Sequence, residues 1–270
     1  MRYDPARPAA FFDAYGEQEW TRFESGRSSP VSLAVHAHHL RRFVRAGDRV
    51  LDAGAGPGRF TIELARIGAR VVVADVSRVQ LDLNREKVAE AGVEEAVEER
   101  VVADVTDLSR FADGEFDAVV CYGGPLSYAL DRAGDAAAEL VRVTRPGGHV
   151  LISVMSLIGT FAEELRAVLS LPRELSEDVL ATGFVGPEAG GHVEMRLYRP
   201  GEAQALLADR GCTVVAVSGS NLNTRVEQEL YPALDEPARE ALVRWEVDLC
   251  ADAGAAACGP HVVVVGRRDA

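Results

Sequence analysis

A glycine-rich loop between an apolar strand and a helix is the feature of this sequence with the clearest chemical use. The strand pattern ends at Asp52, and Gly54, Gly56 and Gly58 follow at alternate positions before Arg59. Glycine has no Cβ and tolerates positive φ, so such a loop either makes a tight turn or lets a ligand lie against its backbone. A dinucleotide-binding loop would need a further glycine where Arg59 stands, which counts against a dinucleotide as the ligand.

Two carboxylates follow the next two strand patterns. Asp75 ends the segment Arg70–Asp75, where a carboxylate can accept hydrogen bonds from both hydroxyls of a ribose. Asp104 follows Glu99–Ala103, where it either contacts the same ligand or begins a local turn before Thr106. A ribose site alone would also fit an NAD enzyme, so Asp75 does not name the cofactor.

These residues belong to an alternation of short strands and amphipathic helices that begins near residue 49. Seven segments have strand patterns: Arg49–Asp52, Arg70–Asp75, Glu99–Ala103, Phe116–Tyr122, His149–Met155, Thr213–Ser218 and His261–Gly266. Four have helix patterns: Arg59–Ile67, Ser77–Ala91, Ala133–Val143 and Gly201–Arg210. This alternation predicts an α/β fold, a mostly parallel sheet with helices on both faces. The four valines Val262–Val265 suit a strand that is buried on both faces.

Three segments lie outside the alternation and divide the chain. We expect residues 1–48 to form an N-terminal helical cap on a domain of residues 49–270. Residues 156–200 and 219–260 are longer than a connection between neighbouring elements needs. Long excursions at strand ends usually cover a ligand, so we expect both to be cap insertions.

Bulk composition narrows the class of partner. A net charge of −13 over 270 residues disfavours nucleic acid or an anionic membrane surface as a partner. The four cysteines contain no C-x-x-C pair; Cys250 and Cys258 could form a disulfide, but a reduced cytoplasmic chain is the better interpretation. No apolar run is long enough to be a signal or membrane segment, so we expect a cytoplasmic protein. A homodimer is a separate prediction.

The loop and the carboxylates resemble motifs of the class I S-adenosylmethionine (SAM)-dependent methyltransferases. The strand Phe116–Cys121 and its continuation Tyr122-Gly123-Gly124-Pro125 resemble the family's fourth motif, and Arg145-Pro146-Gly147-Gly148 resembles the turn before the fifth strand. These motifs cover about residues 49–155. The resemblance implies a Rossmann-like seven-stranded sheet whose last strand is antiparallel. It also implies SAM as cofactor and a small-molecule acceptor.

The resemblance further implies roles for individual residues. The glycine loop and Asp52 would hold the methionine end of SAM, Asp75 the ribose, and Val76, Asp104 and Val105 the adenine. Cys121 and Tyr122 would pass beneath the sulfonium. The cofactor-binding residues so predicted are Asp52, Ala53, Gly54, Gly56, Gly58, Asp75, Val76, Asp104, Val105, Cys121 and Tyr122.

Aromatic residues crowd the N-terminal segment at Phe11, Phe12, Tyr15, Trp20 and Phe23. They either pack a cap helix or, through Tyr15, Trp20 and the adjacent Arg22, line the cofactor pocket. Tyr15 and Arg22 are therefore added to the predicted cofactor site.

Catalytic candidates are fewer. Tyr128 and His192 are possible acid–base groups, as is Tyr198, and no nucleophile signature is present. His36, His38 and His39 lack the additional ligands of a metal site, so they either belong to a partly buried helix or supply a general base.

The hypothesis from the sequence is methyl transfer by in-line displacement to oxygen or nitrogen of a small metabolite. Much of the rate enhancement can come from holding acceptor and methyl group in position, and a general base is needed only if the acceptor loses a proton early. No metal is expected. Three alternatives remain open: a peptide or protein acceptor, a non-catalytic SAM-binding protein, and an NAD(P)-dependent oxidoreductase.

Overall fold

A seven-stranded mixed sheet is the centre of the computed structural model, which describes residues 2–22, 30–191, 193–222, 231–252 and 254–270. The strands are β1 (Arg49–Ala53), β2 (Arg70–Asp75), β3 (Val97–Val102), β4 (Phe116–Cys121), β5 (Thr144–Met155), β6 (Phe184–Val185), β7 (Met195–Arg196), β8 (Cys212–Ser220) and β9 (His261–Arg268). The sheet order is β3-β2-β1-β4-β5-β9-β8, while β6 and β7 form a separate hairpin.

Helices cover both faces of this sheet and its carboxyl edge. They are α1 (Ala6–Tyr15), α2 (Gln18–Thr21), α3 (Pro30–Phe43), α4 (Arg59–Ile67), α5 (Arg78–Glu90), α6 (Pro125–Tyr128), α7 (Ala133–Val143), α8 (Leu157–Glu163), α9 (Leu165–Ser170), α10 (Arg173–Thr182), α11 (Pro200–Ala208), α12 (Glu236–Leu249) and α13 (Ala255–Cys258). Short 3₁₀ turns lie at Glu94–Ala96, Leu130–Arg132, Pro187–Ala189 and Tyr231–Ala233. In the described part of the chain, no helix has both the length and the apolar character to cross a membrane.

The pairing confirms the predicted sheet. Strands β1 to β5 are parallel, and β9 is antiparallel to both of its neighbours, β5 and β8. Because β9 runs against β5, its first residue, His261, pairs with Met155 at the carboxyl end of β5. The start of β9 therefore lies at the same edge of the sheet as the glycine loop.

Side chains alternate between two hydrophobic clusters, one on each face of the sheet. Val50 and Leu51 in β1 point into different clusters, as successive strand residues must. The valine run behaves as predicted, since Val262 and Val264 join one cluster and Val263 and Val265 the other. Helices on both faces thus bury β9 on both sides.

The prediction for the start of β5 was wrong. The strand begins at Thr144 and not at His149, and residues 145–148 bulge out within it and are not a turn before it. Thr144 already pairs with Phe116, and His149 pairs with Ala118, so residues 145–148 face Asp117 alone. The Nε atom of Arg145 donates to an Asp117 carboxylate oxygen at 2.7 Å, which anchors the bulge to β4.

The N-terminal residues make two kinds of contact with the sheet domain. Helix α3 buries Leu40 among the core side chains beneath β1 and β2. Helix α1 lies over the start of α5, where Asp13 accepts a 2.6 Å hydrogen bond from Ser77 Oγ. The Gln80 side chain also donates to the backbone oxygens of Phe12 and Gly16, each at 3.0 Å. A cap of residues 1–48 stays a prediction, because α3 shares the core of the domain.

Candidate active site

The cavity of interest opens at the carboxyl edge of the parallel strands, where β1 and β4 are neighbours and the chain leaves toward opposite sides of the sheet. Ligands of open α/β sheets bind in such a crevice. The cavity has a volume of about 250 Å³. We call one part of its wall the glycine-loop end: Gly54, Gly56, Asp75, Val76, Asp104 and Val105. We call another part the histidine end: Ser32, His36, Phe60, Tyr122, Pro260 and His261.

Close packing explains two of the three loop glycines. Gly54 has a φ of 72°, and a Cβ there would stand 2.3 Å from Pro125 Cγ. Gly58 has a φ of 99°, and its Cβ would stand 2.9 Å from the Asn84 amide nitrogen. At Gly56 the nearest heavy atom to such a Cβ is Glu19 Cγ, 4.0 Å away, so the bare backbone faces the cavity. This is the close backbone approach that a ligand needs.

Asp75 is held rigidly where β2 meets the glycine loop. One of its carboxylate oxygens accepts from Gly56 N at 2.8 Å and the other from Ser77 N at 2.8 Å. Burial raises the pKa of Asp75 to about 6, against the opposing effect of these N–H groups. Each oxygen can still accept a further hydrogen bond. The side chain is thus an oriented acceptor for a pair of hydroxyl groups.

Asp52 occupies a different position from the one implied for it. It is buried behind the loop, does not line the cavity, and accepts a 2.6 Å hydrogen bond from Thr61 Oγ1. Asn84 donates in turn to Thr61 at 3.0 Å. Burial raises the pKa of Asp52 to about 7. In this structure its side chain ties α4 and α5 to β1, and a role toward SAM stays a prediction.

Asp104 forms the local turn that was one of its two alternatives, and contact with a ligand stays a prediction. Its Oδ1 accepts from Thr106 N at 2.8 Å, which forms the local turn, and the residue still lines the cavity beside Val105. The same oxygen accepts from the Tyr3 hydroxyl at 2.9 Å. The N-terminal segment therefore covers the part of the cavity that the family motifs assign to adenine.

Arg59 fastens the second N-terminal helix over the loop. Its guanidinium lies 3.5 Å from the centroid of the Trp20 ring, and its Nη2 donates to Trp20 O at 2.8 Å. Beside this contact, Arg22 donates to Glu19 at 2.8 Å, and both residues line the cavity. Tyr15 does not line it and stacks on Phe11 with ring centroids 5.4 Å apart. Of the two N-terminal residues added to the predicted site, only Arg22 is thus on the wall.

At the histidine end, aromatic rings from four segments meet: α3, α4, the residue after β4, and the start of β9. The His36 ring lies 4.7 Å from Tyr122, 5.3 Å from Phe60 and 5.9 Å from His261, measured between centroids. Burial lowers the pKa of His36 to about 4 and that of His261 to about 3, so both imidazoles are neutral at pH 7. Tyr128 lines the cavity nearby, and burial raises the pKa of its hydroxyl.

The structure brings most of the predicted cofactor residues to one cavity. Those on its wall are Arg22, Gly54, Gly56, Asp75, Val76, Asp104, Val105 and Tyr122. Those predicted to bind but not on the wall are Tyr15, Asp52, Ala53, Gly58 and Cys121. The side chain of Cys121 is buried in the core below the cavity.

The remaining catalytic and metal-binding candidates do not lie together on the cavity wall. His192 lies outside the described residues, and so does Phe23. Tyr198 is buried in the core and does not line the cavity. His39 faces Ser218, whose Oγ lies 2.8 Å from its Nε2, and among the described residues no group of side chains could hold a metal ion.

Several wall residues were missed at the sequence level: Tyr3, Glu19, Ser32, Gln80, Glu163, Asn221, Pro260 and His261. Most come from segments far from the motifs in sequence, so spacing carries no signal for them. His261 had one. The first residue of an antiparallel strand in this sheet must lie at the carboxyl edge of its parallel neighbour, here opposite Met155.

The segment that builds the glycine-loop end matches a known family. Residues 50–148 match the family model described as a methyltransferase domain. A demethylmenaquinone methyltransferase of Clavibacter sepedonicus is 41% identical over 111 residues, covering 41% of this chain and 42% of that protein. Methyltransferase GfsG of Streptomyces halstedii is 36% identical over 129 residues, covering 47% of this chain and 44% of that protein. The chain thus matches less than half the length of these two relatives.

The fold likeness extends over the whole chain. The CcbJ methyltransferase from Streptomyces caelestis superimposes with a TM-score of 0.61 at 18% sequence identity, covering 99% of this chain and 100% of that one. At this identity the likeness concerns the fold alone. The family match adds the segment that carries the loop, Asp75 and Asp104. Residues 50–148 are therefore similar to a methyltransferase domain, and the fold of the whole chain is similar to that of a methyltransferase.

Proposed function

We propose that this protein transfers the methyl group of SAM to oxygen or nitrogen of a small-molecule acceptor. The observation that carries the proposal is a single cavity with two chemically different ends. Its glycine-loop end has bare backbone at Gly56 and the oriented carboxylate of Asp75. Its histidine end has aromatic rings and neutral imidazoles. One end suits a nucleoside and the other an uncharged organic molecule.

The glycine-loop end fits SAM by its donor and acceptor set. Asp75 would accept the ribose hydroxyls, Val76 would pack on the adenine, and Asp104 and Val105 would meet its polar edge. Gly54 and Gly56 would lie along the methionine portion. When bound, SAM supplies a methyl group already activated by its sulfonium, so the protein's main task is to hold the acceptor in line with it.

The acceptor is proposed to be small because the N-terminal segment closes the cavity on one side. Tyr3 bonds to Asp104, and Arg59 holds Trp20, so the glycine-loop end is covered by chain from residues 3–22. The relatives include an enzyme named for demethylmenaquinone, a small molecule. A peptide acceptor would instead need an open groove.

Labelled SAM tests this proposal. The protein is incubated with methyl-labelled SAM and a cell extract separated by ultrafiltration into a low-molecular-mass fraction and a protein fraction. We expect label in a low-molecular-mass product that is separable from SAM, and much less of that product at limiting SAM when Asp75→Asn replaces the wild type. Label in the protein fraction alone would contradict a small acceptor. Binding of SAM without transfer to either fraction would support a non-catalytic SAM-binding protein.

A further inference from the structure

Three buried polar atoms at the histidine end have no hydrogen-bond partner among the residues that the structure describes. They are His36 Nε2, His261 Nδ1 and the hydroxyl of Tyr122. Leaving such an atom unsatisfied costs the free energy of removing it from water, so buried polar atoms are nearly always paired. Here all three belong to rings in mutual contact around His36, on the wall of one cavity. Their clustering indicates a ligand with polar atoms.

The backbone determines which nitrogen of His36 carries the proton. Its Nδ1 lies 2.7 Å from the carbonyl oxygen of Ser32, one helical turn earlier in α3. A carbonyl oxygen can only accept, so Nδ1 must be the donor. In the neutral ring Nε2 is then unprotonated and presents a lone pair. The unpartnered atom of His36 is therefore a hydrogen-bond acceptor and a base.

The chemistry of this end selects a hydroxyl as the group that meets it. Phe60, Pro260 and Tyr122 supply an apolar wall, which suits an uncharged molecule. An amine whose lone pair is already free needs no base after transfer, because the methylated ammonium product keeps its proton at neutral pH. A hydroxyl oxygen must lose its proton once methylated, and the protonated ether is a very strong acid. Even a weakly basic imidazole can take that proton.

We propose that His36 Nε2 is the catalytic base that accepts the proton of a hydroxyl group on an otherwise apolar acceptor, beside Tyr122 and His261. The inference rests on the methyl transfer proposed above. The acceptor oxygen forms a bond to the methyl carbon, and the bond from that carbon to sulfur breaks with its electron pair left on sulfur. The O–H bond breaks with its electrons left on oxygen, and the proton goes to Nε2. The imidazolium then returns the proton to solvent.

His39 provides a matched control on the same helix. It lies three residues after His36, is equally buried, and its pKa is also lowered by burial, to about 3. Its Nε2 pairs with Ser218 Oγ, and it does not line the cavity. His36→Gln and His39→Gln therefore make the same change in similar surroundings, with only one of them facing the proposed acceptor.

The test uses the labelled low-molecular-mass product formed by the wild type. Hot hydriodic acid cleaves methyl ethers and esters and releases their methyl group as volatile methyl iodide, while N-methyl groups stay behind. We expect the label of the wild-type product to be released as volatile methyl iodide. The kcat of His36→Gln should fall about 100-fold or more with unchanged SAM affinity, and the kcat of His39→Gln should fall less than threefold. If His36→Gln does not bind SAM, His36→Ala is assayed with added imidazole, which should restore transfer at least tenfold.

Five results would overturn the inference. Label that stays non-volatile would assign the acceptor atom to nitrogen or carbon. Equal activity of His36→Gln and the wild type would show that His36 is not the base. Equal losses of activity for His36→Gln and His39→Gln would show the same, as would a His36→Ala variant whose activity added imidazole does not restore. In each of these cases methyl transfer itself would stand. Absence of transfer by the wild type would overturn the inference together with the proposed function.

Discussion

Replacing Asp75 by asparagine removes a charge from the cavity wall while keeping the shape of the side chain. In the wild type its two carboxylate oxygens accept from Gly56 N and Ser77 N, each at 2.8 Å. Asparagine can accept from one of these N–H groups, so the loop keeps one of its two supports. The substitution therefore tests the carboxylate as a ligand and leaves the fold largely intact.

The expected loss of SAM affinity comes from one charged hydrogen-bond acceptor. Hydrogen bonds to a charged group contribute about 1.5–3 kcal/mol, which corresponds to roughly 10- to 150-fold weaker binding. Isothermal titration calorimetry with SAM measures this directly. The remote variant Asp117→Asn is the control, because Asp117 lies at the opposite edge of the sheet and bonds to Arg49 N and Arg145. It should bind SAM as the wild type does.

Stability should respond to Asp75→Asn in a pH-dependent way. Burial raises the pKa of Asp75 to about 6, above its unfolded value of 3.8, so its contribution to stability is full below pH 4 and is lost as pH rises through 6. Between pH 4 and 7 the free energy of unfolding of the wild type should fall by about 2 kcal/mol relative to Asp75→Asn. Urea unfolding at several pH values measures this difference. Unchanged SAM affinity in Asp75→Asn would refute the ribose assignment, whatever the stability data show.

Three further predictions concern the same cavity. Gly54→Ala should abolish SAM binding and lower the melting temperature, because the backbone there has a positive φ and the new Cβ would collide with Pro125. Gly47→Ala is the control for backbone strain alone, because Gly47 has a φ of 88° and no heavy atom lies within 4 Å of the position of its Cβ. Arg59→Met should raise the dissociation rate of SAM in stopped-flow measurements, since it removes the contacts with Trp20; an unchanged rate would contradict a covering role. SAM affinity should decrease as pH falls below about 6, where Asp75 becomes protonated, and Asp75→Asn should flatten that dependence.

The sheet could be predicted because its signals are local. Short β-branched segments alternate with amphipathic helices, and the run Val262–Val265 requires burial on both faces. The loop and Asp75 could be predicted for the same reason, since a strand end and the residues after it lie at the carboxyl edge. The start of β5 could not, because the pairing of Thr144 with Phe116 depends on a non-local register.

The rest of the cavity depends on contacts between remote segments. Tyr3 reaches Asp104 across the sequence, and His36 meets Tyr122 and His261 from three separate elements. No spacing rule connects these residues, and only the packing of α1 to α3 brings them together. The same packing separates His36 from His39, which a helical pattern alone assigns to one face. A homodimer, a cytoplasmic location and the division at residue 48 stay predictions.

The central claim is that the glycine loop and Asp75 hold SAM and not a dinucleotide. Calorimetric titration of the wild type with SAM, and separately with NADH, tests it most directly. The structure predicts saturable binding of one SAM per chain and no binding of NADH at the same concentrations. Saturable binding of NADH with none of SAM would contradict the account.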